Sequence, residues 1–366
     1  MSNQMRPNFQ VNSFLLFFMI HSAQLGIGIL VFQRALVKEA GYDSWISVLL
    51  AGLMAHLSLF FIFRMLKYEH QDISEIHQFV YGKWLGRLFT LFIIVQFAWT
   101  GLTVLHAYIR IIQIWMFPQL PAWFPTLIIL ILAYYTIAGG FRVIVGMCFF
   151  KIILAFIITL PMFFTLSYAQ WGNLSLVPVH TMTELWNATK AVTFNYAGMI
   201  TILVYYPFIQ EGQKSKSYAY LGNAATTFLY LIVTFMCFLF YSENQLKITI
   251  WPFLTMTKTV SFTIIERFEL VFVAAWVLVI VPIVIQNLWC ASRLAKKVFK
   301  VKQKYPLILF MMIYVIASHF IDDSEEVRFL YEWNAKYAFY VSYVYILVLF
   351  LGYMLVRKIK SRSQPS

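Results

Sequence analysis

Long apolar stretches alternate with short polar ones along almost the whole chain. Each apolar stretch is close to or above the roughly 20 residues that a helix needs to cross a bilayer. The pattern predicts ten membrane-spanning helices, at residues 11–33, 44–66, 84–116, 122–138, 143–168, 192–209, 218–241, 264–290, 305–321 and 335–356. We therefore predict an all-α integral membrane protein that forms a single ten-helix domain over residues 1–366.

The composition and the distribution of charge agree with this prediction. Of the 366 residues, 61% are hydrophobic and only 12% are charged, which is too apolar for a water-soluble fold. Most Lys and Arg residues fall on one side of the predicted helices, which places both termini on the cytoplasmic side. The acids, including Asp322, Asp323, Glu325 and Glu326, fall mostly on the other side. The net charge of +13 then reflects topology and contact with anionic lipid, and a nucleic-acid partner is not expected.

Ten helices divide into two halves of five, at about residues 11–168 and 190–356. An odd number of crossings in each half means that the halves run in opposite directions, as in an inverted repeat. The first helix contains Gly26 and Gly28 at its centre, in the stretch AQLGIGIL. Its counterpart, the sixth helix, contains Asn195 and Gly198 within the span. Because glycine costs roughly 1 kcal/mol in a helix interior, both helices are predicted to be broken.

A helix that unwinds inside a membrane exposes backbone groups that lipid cannot satisfy. A small zwitterion satisfies both kinds of group, since free amides suit a carboxylate and free carbonyls suit an ammonium group. The predicted ligand site therefore combines the amides of Leu25, Gly26, Ile27 and Gly28 with the carbonyls of Tyr196, Ala197 and Gly198. Gln96 and Thr100, four residues apart on one face of the third helix, are predicted to join it. The alternative is that the glycines are small residues at a helix crossing.

Two further groups of charged residues have open interpretations. Glu266, Arg267 and Glu269 stand at the outer mouth of the eighth helix, either as a local ion-pair cluster or as a gate. Lys151 lies within the fifth helix, where it either extends to the inner surface or acts as a proton-responsive charge in place of a cation. The first and sixth helices contain no carboxylate within their spans, so coupling to an ion is poorly supported.

The sequence gives no sign of catalytic chemistry. The seven histidines are scattered, and no nucleophile motif, phosphate-binding loop or metal-ligand spacing occurs. Cys148, Cys237 and Cys290 all lie in apolar runs and are interpreted as packing residues. We expect no enzyme activity, no metal and no cofactor.

Several short stretches together resemble a known family. They are LGIGIL followed by RALVKEAGYDSWIS, then YGKWLG, IWPFLTMTKTVSF and IERFE. In this order and spacing they resemble the permease-like B subunit of bacterial spore germinant receptors, within the amino acid, polyamine and organocation transporter superfamily. The resemblance covers essentially the whole chain.

The resemblance implies a ten-helix inverted-repeat fold in the spore inner membrane and a small nutrient ligand, often an amino acid. It also implies two partners, a larger membrane A subunit and a lipoprotein C subunit. By position, the implied pocket residues are Leu25, Gly26, Gln96, Thr100, Gly198, Ile283 and Asn287. The chain departs from the family pattern at Gln33, where proline is usual, and at Thr201, where many members have glutamate. Thr201 is included in the predicted site, and its lack of charge suggests a ligand unlike that of the common alanine sensors.

Three functions remain open on the sequence. The leading one is a receptor subunit that binds a nutrient at the middle of the membrane and signals to partner subunits. The second is an ion-coupled secondary transporter of amino acids. The third is a structural or channel-forming subunit that binds no small molecule, in which case the helix breaks are packing features.

Overall fold

The computed structural model describes residues 10–67, 72–173, 179–262, 266–321 and 324–362. Over these ranges the chain is helical and forms no β-sheet, with one isolated parallel bridge between Val11 and Ile209. The predicted start of the eighth helix at residue 264 and two acids of the predicted outer cluster, Asp322 and Asp323, lie outside the described residues.

The α-helices of the described residues are α1 (Leu15–Gln24), α2 (Phe32–Ala40), α3 (Trp45–Leu66), α4 (Ile73–Trp115), α5 (Trp123–Ala138), α6 (Phe141–Thr159), α7 (Met182–Thr193), α8 (Ile202–Tyr205), α9 (Ser215–Phe240), α10 (Glu243–Ile248), α11 (Pro252–Met256), α12 (Phe268–Phe299), α13 (Lys304–Phe320), α14 (Ser324–Phe339) and α15 (Ile346–Arg362). Short 3₁₀ segments extend or join several of them, and a π-helical turn, Tyr340–Tyr345, joins α14 to α15.

Six helical stretches of the described residues are long and apolar enough to cross a membrane. They are Phe32–Leu66, Ile73–Trp115, Phe141–Tyr168, Ser215–Phe240, Phe268–Phe299 and Ser324–Ser361. Shorter apolar helices occur at Leu15–Gln24, Trp123–Ala138 and Lys304–Phe320. The chain is therefore a multi-pass membrane protein.

Two helices extend beyond their predicted ends because polar residues continue them past the apolar stretch. The third predicted helix, 84–116, begins earlier, at Ile73, where the Asp72 side chain accepts a hydrogen bond from the amide of Glu75. This first part of α4 bends at Gly82, whose φ of 77° is open to glycine but strained for other residues. The eighth, 264–290, continues to Phe299, and Lys297 near its end lies 2.5 Å from Asp72.

The predicted boundaries of the fifth and sixth helices also change. The fifth, 143–168, is α-helical from Phe141 to Thr159 and then narrows to a 3₁₀ segment, Leu160–Tyr168, with Pro161 in its first turn. The sixth predicted helix, 192–209, begins about ten residues earlier, at Met182, because Thr181 and Glu184 form a capping box there. The tenth, 335–356, extends in both directions as α14, the π turn and α15.

The interrupted helices lie at the centre of the packed structure. Helix α1 packs against α9, α6 and the 3₁₀ segment Phe194–Thr201, and α2 packs against α7. Helices α4 and α12 form the most extensive contact between any two elements and lie on the other side of the same region. This arrangement brings both breaks and the middle of α4 and α12 together.

Candidate functional site at two interrupted helices

The first helix is interrupted at the predicted place. Helix α1 ends at Gln24, Leu25 has an extended backbone with φ −94° and ψ 97°, and Gly26 follows with φ −139° and ψ −145°. A 3₁₀ segment, Ile27–Leu30, then leads into α2. Because the first N–H groups of a helical segment have no partner within it, this break presents backbone donors near Gly28.

The second interruption faces the first. Helix α7 ends at Thr193, and the 3₁₀ segment Phe194–Thr201 separates it from α8. A 3₁₀ run of eight residues is unusual, since such helices rarely exceed three or four. The Asn195 side chain lies directly against the Cα of Gly28, so that a methyl group on Gly28 would overlap it. A methyl group on Gly198 would likewise overlap the backbone carbonyl oxygen of Ala23 in α1.

A cavity of about 60 Å³ lies where these segments meet α4, α12 and α14. This volume accommodates several water molecules, and it suits a small ligand. Ten of the sequence-predicted site residues line it: Gly26, Ile27, Gly28, Gln96, Thr100, Ala197, Gly198, Thr201, Ile283 and Asn287. These residues belong to the first, third, sixth and eighth predicted helices.

Two predicted residues do not line the cavity. The side chains of Leu25 and Tyr196 are buried elsewhere in the core. The predicted carbonyl acceptors also have side-chain partners. The Tyr196 carbonyl accepts from Gln24 Nε2 at 3.3 Å, that of Ala197 from Ser342 Oγ at 3.4 Å, and that of Gly198 from Thr201 Oγ1 at 2.7 Å. Each of these carbonyls retains one lone pair at most for a ligand.

The predicted site omitted four polar side chains in or beside the cavity: Gln24, Asn195, Asn334 and Ser342. Of these, the sequence identified Asn195 only as part of the interruption of the sixth helix. Asn334 is fully buried behind Gln96 and Thr100, and its Oδ1 lies 3.0 Å from Gln96 Nε2 and 3.1 Å from Thr100 Oγ1. A polar residue in a membrane helix was the available signal. In α14, however, Asn334 follows several charged residues, so it did not stand out.

The broken end of α1 is held by side chains from other helices. Its last carbonyls have lost their helical partners, and the Lys151 ammonium donates to the Ser22 carbonyl at 2.5 Å. The Tyr230 hydroxyl donates to the Gln24 carbonyl at 2.5 Å. Lys151 is only 2% exposed, so it does not extend to the inner surface. Its charge lies near the negative end of the α1 dipole, and its proton-responsive role stays a prediction.

The three residues of the predicted gate do not line the cavity. Arg267 Nε lies 3.0 Å from Glu269 Oε1, with side-chain exposures of 66% and 10%. Helix α12 begins at Phe268, so Glu269 lies in its first turn, whereas Glu266 is exposed in the segment before the helix. An ion pair with one well-exposed partner contributes little to stability. The gate therefore stays a prediction.

The described residues contain no group of three or more His, Cys, Asp or Glu that could hold a metal ion. The three cysteines are free and buried in the helical core.

The model of the family described as "Spore germination protein" matches residues 10–327 of the chain. This chain belongs to the spore germination protein family. It is 36% identical to spore germination protein GerQB of Bacillus cereus over 348 residues, which cover 95% of this chain and 97% of the relative. It is also 23% identical to spore germination protein A2 of Bacillus subtilis, over 97% of this chain and 96% of that one. The resemblance seen in the sequence motifs is confirmed.

Solved transporters share the fold of this spore germination protein. One is Mhp1, a nucleobase-cation-symport-1 family transporter with bromovinylhydantoin bound, with a TM-score of 0.62 and 14% identity over 89% of this chain and 75% of that one. Another is a Na⁺-coupled sialic acid symporter, with a TM-score of 0.61 and 13% identity over 87% of this chain and 74% of that one. At this level of identity the similarity extends to the fold alone.

Proposed function

We propose that this spore germination protein is the membrane subunit of a nutrient receptor and that it binds a small nutrient, an amino acid, in the cavity between the two interrupted helices. The observation that carries the proposal is this cavity, because its position explains why both helices give up helical hydrogen bonds at the same level. Packing alone would favour continuous helices with small residues at the crossing.

The site residues have defined roles in this proposal. The backbone amides of Gly26, Ile27 and Gly28 receive the ligand carboxylate, with help from the positive end of the helical segment that follows. The Leu25 amide does not take part, because it donates to the His21 carbonyl at 3.0 Å. Gln96, Thr100 and Asn287 contact the amino end or the side chain of the ligand. Ile283 and Val104 supply an apolar wall. Lys151 holds the end of α1 from outside the cavity.

The proposed membrane topology has ten crossings in two inverted halves. The six long apolar stretches and the three shorter helices support part of this count. The interrupted helix from Met182 to Phe208 is proposed to be the sixth crossing. Both termini face the spore core, and the protein lies in the spore inner membrane with an A subunit and a lipoprotein C subunit as partners.

A secondary transporter of amino acids is the second candidate, and the transporter fold of the solved relatives favours it. The composition of the cavity favours the receptor. Among the described residues, no carboxylate lines the cavity, whereas ion-coupled sites within membranes commonly include a charged residue.

Two measurements separate these functions. Spores that carry this chain as their only B subunit, together with its A and C partners, are expected to germinate in response to one or a few amino acids. The purified chain in proteoliposomes is expected to show no gradient-driven accumulation of the same amino acid. Accumulation driven by an ion gradient would make it a transporter, and spores that respond to no small molecule would contradict both candidates.

A further inference from the structure

Most of the polar side chains that line the cavity have used all of their hydrogen-bond donors inside the protein. The lining includes seven polar side chains and, among the described residues, none with a formal charge. They are Gln24, Gln96, Thr100, Asn195, Thr201, Asn287 and Ser342. What a ligand meets is therefore decided by the lone pairs that remain.

Two of the carboxamides have orientations that their partners fix. Gln24 Nε2 donates to the Tyr196 carbonyl at 3.3 Å and to Asn223 Oδ1 at 2.8 Å, and Asn287 Nδ2 donates to the Ile283 carbonyl at 2.9 Å. A carbonyl only accepts, so the nitrogen of each amide must face it. The oxygens Gln24 Oε1 and Asn287 Oδ1 form no hydrogen bond with any described residue. Both remain as acceptors, and Asn287 Nδ2 keeps a second N–H without a partner among the described residues.

The hydroxyl groups that line the cavity have also used their donors. Thr201 Oγ1 donates to the Gly198 carbonyl at 2.7 Å, and Ser342 Oγ donates to the Ala197 carbonyl at 3.4 Å. Since each hydroxyl has a single proton, both offer only lone pairs to a ligand. Thr100 Oγ1 likewise donates to Asn334 Oδ1 at 3.1 Å.

Gln96 is oriented by the buried Asn334. Gln96 Nε2 donates to Asn334 Oδ1 at 3.0 Å and to Thr100 Oγ1 at 3.1 Å, which uses both of its protons. Gln96 Oε1 forms no hydrogen bond with any described residue, so this side chain, which lines the cavity, keeps a free acceptor. Asn334 Nδ2 has no partner among the described residues, although burying an unpaired donor costs about 1–3 kcal/mol. Asn334 lies four residues before Ala338, which lines the cavity, and so on the same face of α14.

Asn195 differs from the other lining residues in keeping its whole carboxamide free. Its side chain forms no hydrogen bond within the described part of the chain, so it keeps both a donor and an acceptor. Its place against Gly28 puts it beside the backbone amides of the first break. Apart from the second N–H of Asn287, the free side-chain donors of the described lining residues belong to Asn195, and the other polar side chains present oxygen acceptors.

We propose that the cavity selects its ligand chiefly through a protonated primary amino group, which donates to the oxygens of Gln24, Gln96 and Asn287, and that Asn334 is the positioning residue that turns Gln96 Oε1 toward it. The three protons of an ammonium group match three acceptors, and charge-assisted hydrogen bonds are stronger than neutral ones. The ligand carboxylate is secondary. This inference rests on the proposed function, since it concerns the same cavity.

The first test compares small molecules that share a carbon skeleton. Binding to the purified chain in lipid nanodiscs is measured by titration calorimetry with L-alanine, with ethylamine, which lacks the carboxylate, and with L-lactate, which lacks the amino group. The same comparison uses L-valine, isobutylamine and α-hydroxyisovalerate. In whichever of the two series, alanine or valine, the amino acid binds, we expect the amine of that series to bind at least about tenfold more tightly than its hydroxy acid. This difference corresponds to about 1.4 kcal/mol in binding free energy.

The second test compares two variants at Asn334, and each variant serves as the control for the other. A carboxylate only accepts, so Asn334→Asp keeps Gln96 Nε2 facing it and keeps Gln96 Oε1 in the cavity. We expect this variant to bind the amine as well as the unmodified chain or more tightly. Asn334→Leu is of similar size but lets the Gln96 amide turn over, and we expect amine affinity to fall about tenfold or more. Thermal unfolding without ligand reports whether each variant is folded.

Each outcome decides between the inference and the proposed function. Tighter binding of the hydroxy acid than of the amine overturns the inference and leaves a ligand site in place. If the folded Asn334→Asp and Asn334→Leu variants bind the amine with equal affinity, Asn334 does not position Gln96, and that part of the inference is wrong. Displacement of the amine by K⁺ or Na⁺ at similar affinity assigns the acceptors to a metal cation instead. If neither set of three compounds, nor any other amino acid, binds the unmodified chain, the proposed function itself fails.

Discussion

At the residue scale, Gly26 tests whether the first break serves a ligand. A methyl group on Gly26 would lie 2.7 Å from Cδ1 of Ile283, the movable end of a flexible side chain, so the fold should absorb it. Alanine also favours helix by roughly 1 kcal/mol over glycine. We therefore expect Gly26→Ala to be present at normal levels in the spore membrane while the dose response to the nutrient is lost.

The matched control for this substitution is Gly146→Ala. Gly146 lies in α6, and a methyl group there would meet no atom within 4 Å. We expect normal abundance and a normal dose response. If Gly26→Ala instead lowers abundance in proportion to the response, Gly26 is a packing residue. If the dose response of Gly26→Ala is unchanged, the helix break does not contribute to ligand binding.

Replacing Lys151 should affect the nutrient response without lowering the stability of the protein. Removing its side chain leaves the Ser22 carbonyl without its donor, which costs about 1–3 kcal/mol. Burying an ammonium group in an apolar core costs several kcal/mol, and that cost disappears in the variant. Lys151→Met is therefore expected to melt no lower than the unmodified chain in nanodiscs.

The same variant is expected to lose most of its nutrient response, because the end of α1 beside the cavity has lost one of the two side chains that donate to its last carbonyls. Tyr230→Phe, which removes the other donor without removing a charge, is the comparison, and we expect it to melt lower. A Lys151→Met protein that melts lower but still responds normally would make Lys151 a stabilising residue only.

At the scale of elements, the π turn between α14 and α15 connects the cavity to the first part of α4. Val341 and Ser342 of this turn line the cavity, and the Tyr345 hydroxyl lies 2.8 Å from Nε2 of the buried His77. His77 precedes the bend at Gly82, in the stretch of α4 that Lys297 ties to α12. π turns are rare and occur frequently at functional sites.

Tyr345→Phe removes this hydrogen bond with little change in shape. We expect ligand affinity to stay within about twofold, because no cavity atom changes, while the germination response to a saturating dose falls. The measurements are calorimetric binding and the germination rate of spores with the same variant. Phe79→Leu serves as the control, because Phe79 lies in the same stretch of α4 but its ring contacts Tyr353 and Lys360 of α15 rather than the π turn. Parallel loss of binding and response would place Tyr345 in the site rather than in signalling.

The limits of sequence reasoning are clearest at this scale. Glycine pairs and polar residues inside apolar runs located both breaks, because membrane helices rarely contain them without a reason. The bend at Gly82 and the true start of α4 were missed, since Ile73–Tyr81 lies outside the apolar stretch and its helix depends on an Asp72 cap and a contact with Lys297. Asn334 could not be paired with Gln96 because 238 residues separate them.

At the scale of the whole molecule, the proposed topology makes a direct prediction. The native cysteines are buried, so they give a low background for labelling. A cysteine introduced at Gln245 in α10 should react with an impermeant reagent from outside the cell, and one at Ser361 near the end of α15 should react only after the membrane is opened. Reaction of both from the same side would contradict an inside C-terminus with ten crossings.

The central claim is that a small nutrient binds in the cavity between the interrupted helices, and direct binding to the purified chain tests it. The amino acid that triggers germination is titrated into the unmodified chain and into Thr100→Phe, whose ring would occupy the cavity beside Gln96. Thr126→Val, a buried threonine in α5 away from the cavity, is the control. We predict saturable binding to the unmodified chain and to Thr126→Val, and at least about tenfold weaker binding to a folded Thr100→Phe. Equal affinity in all three proteins would contradict the claim.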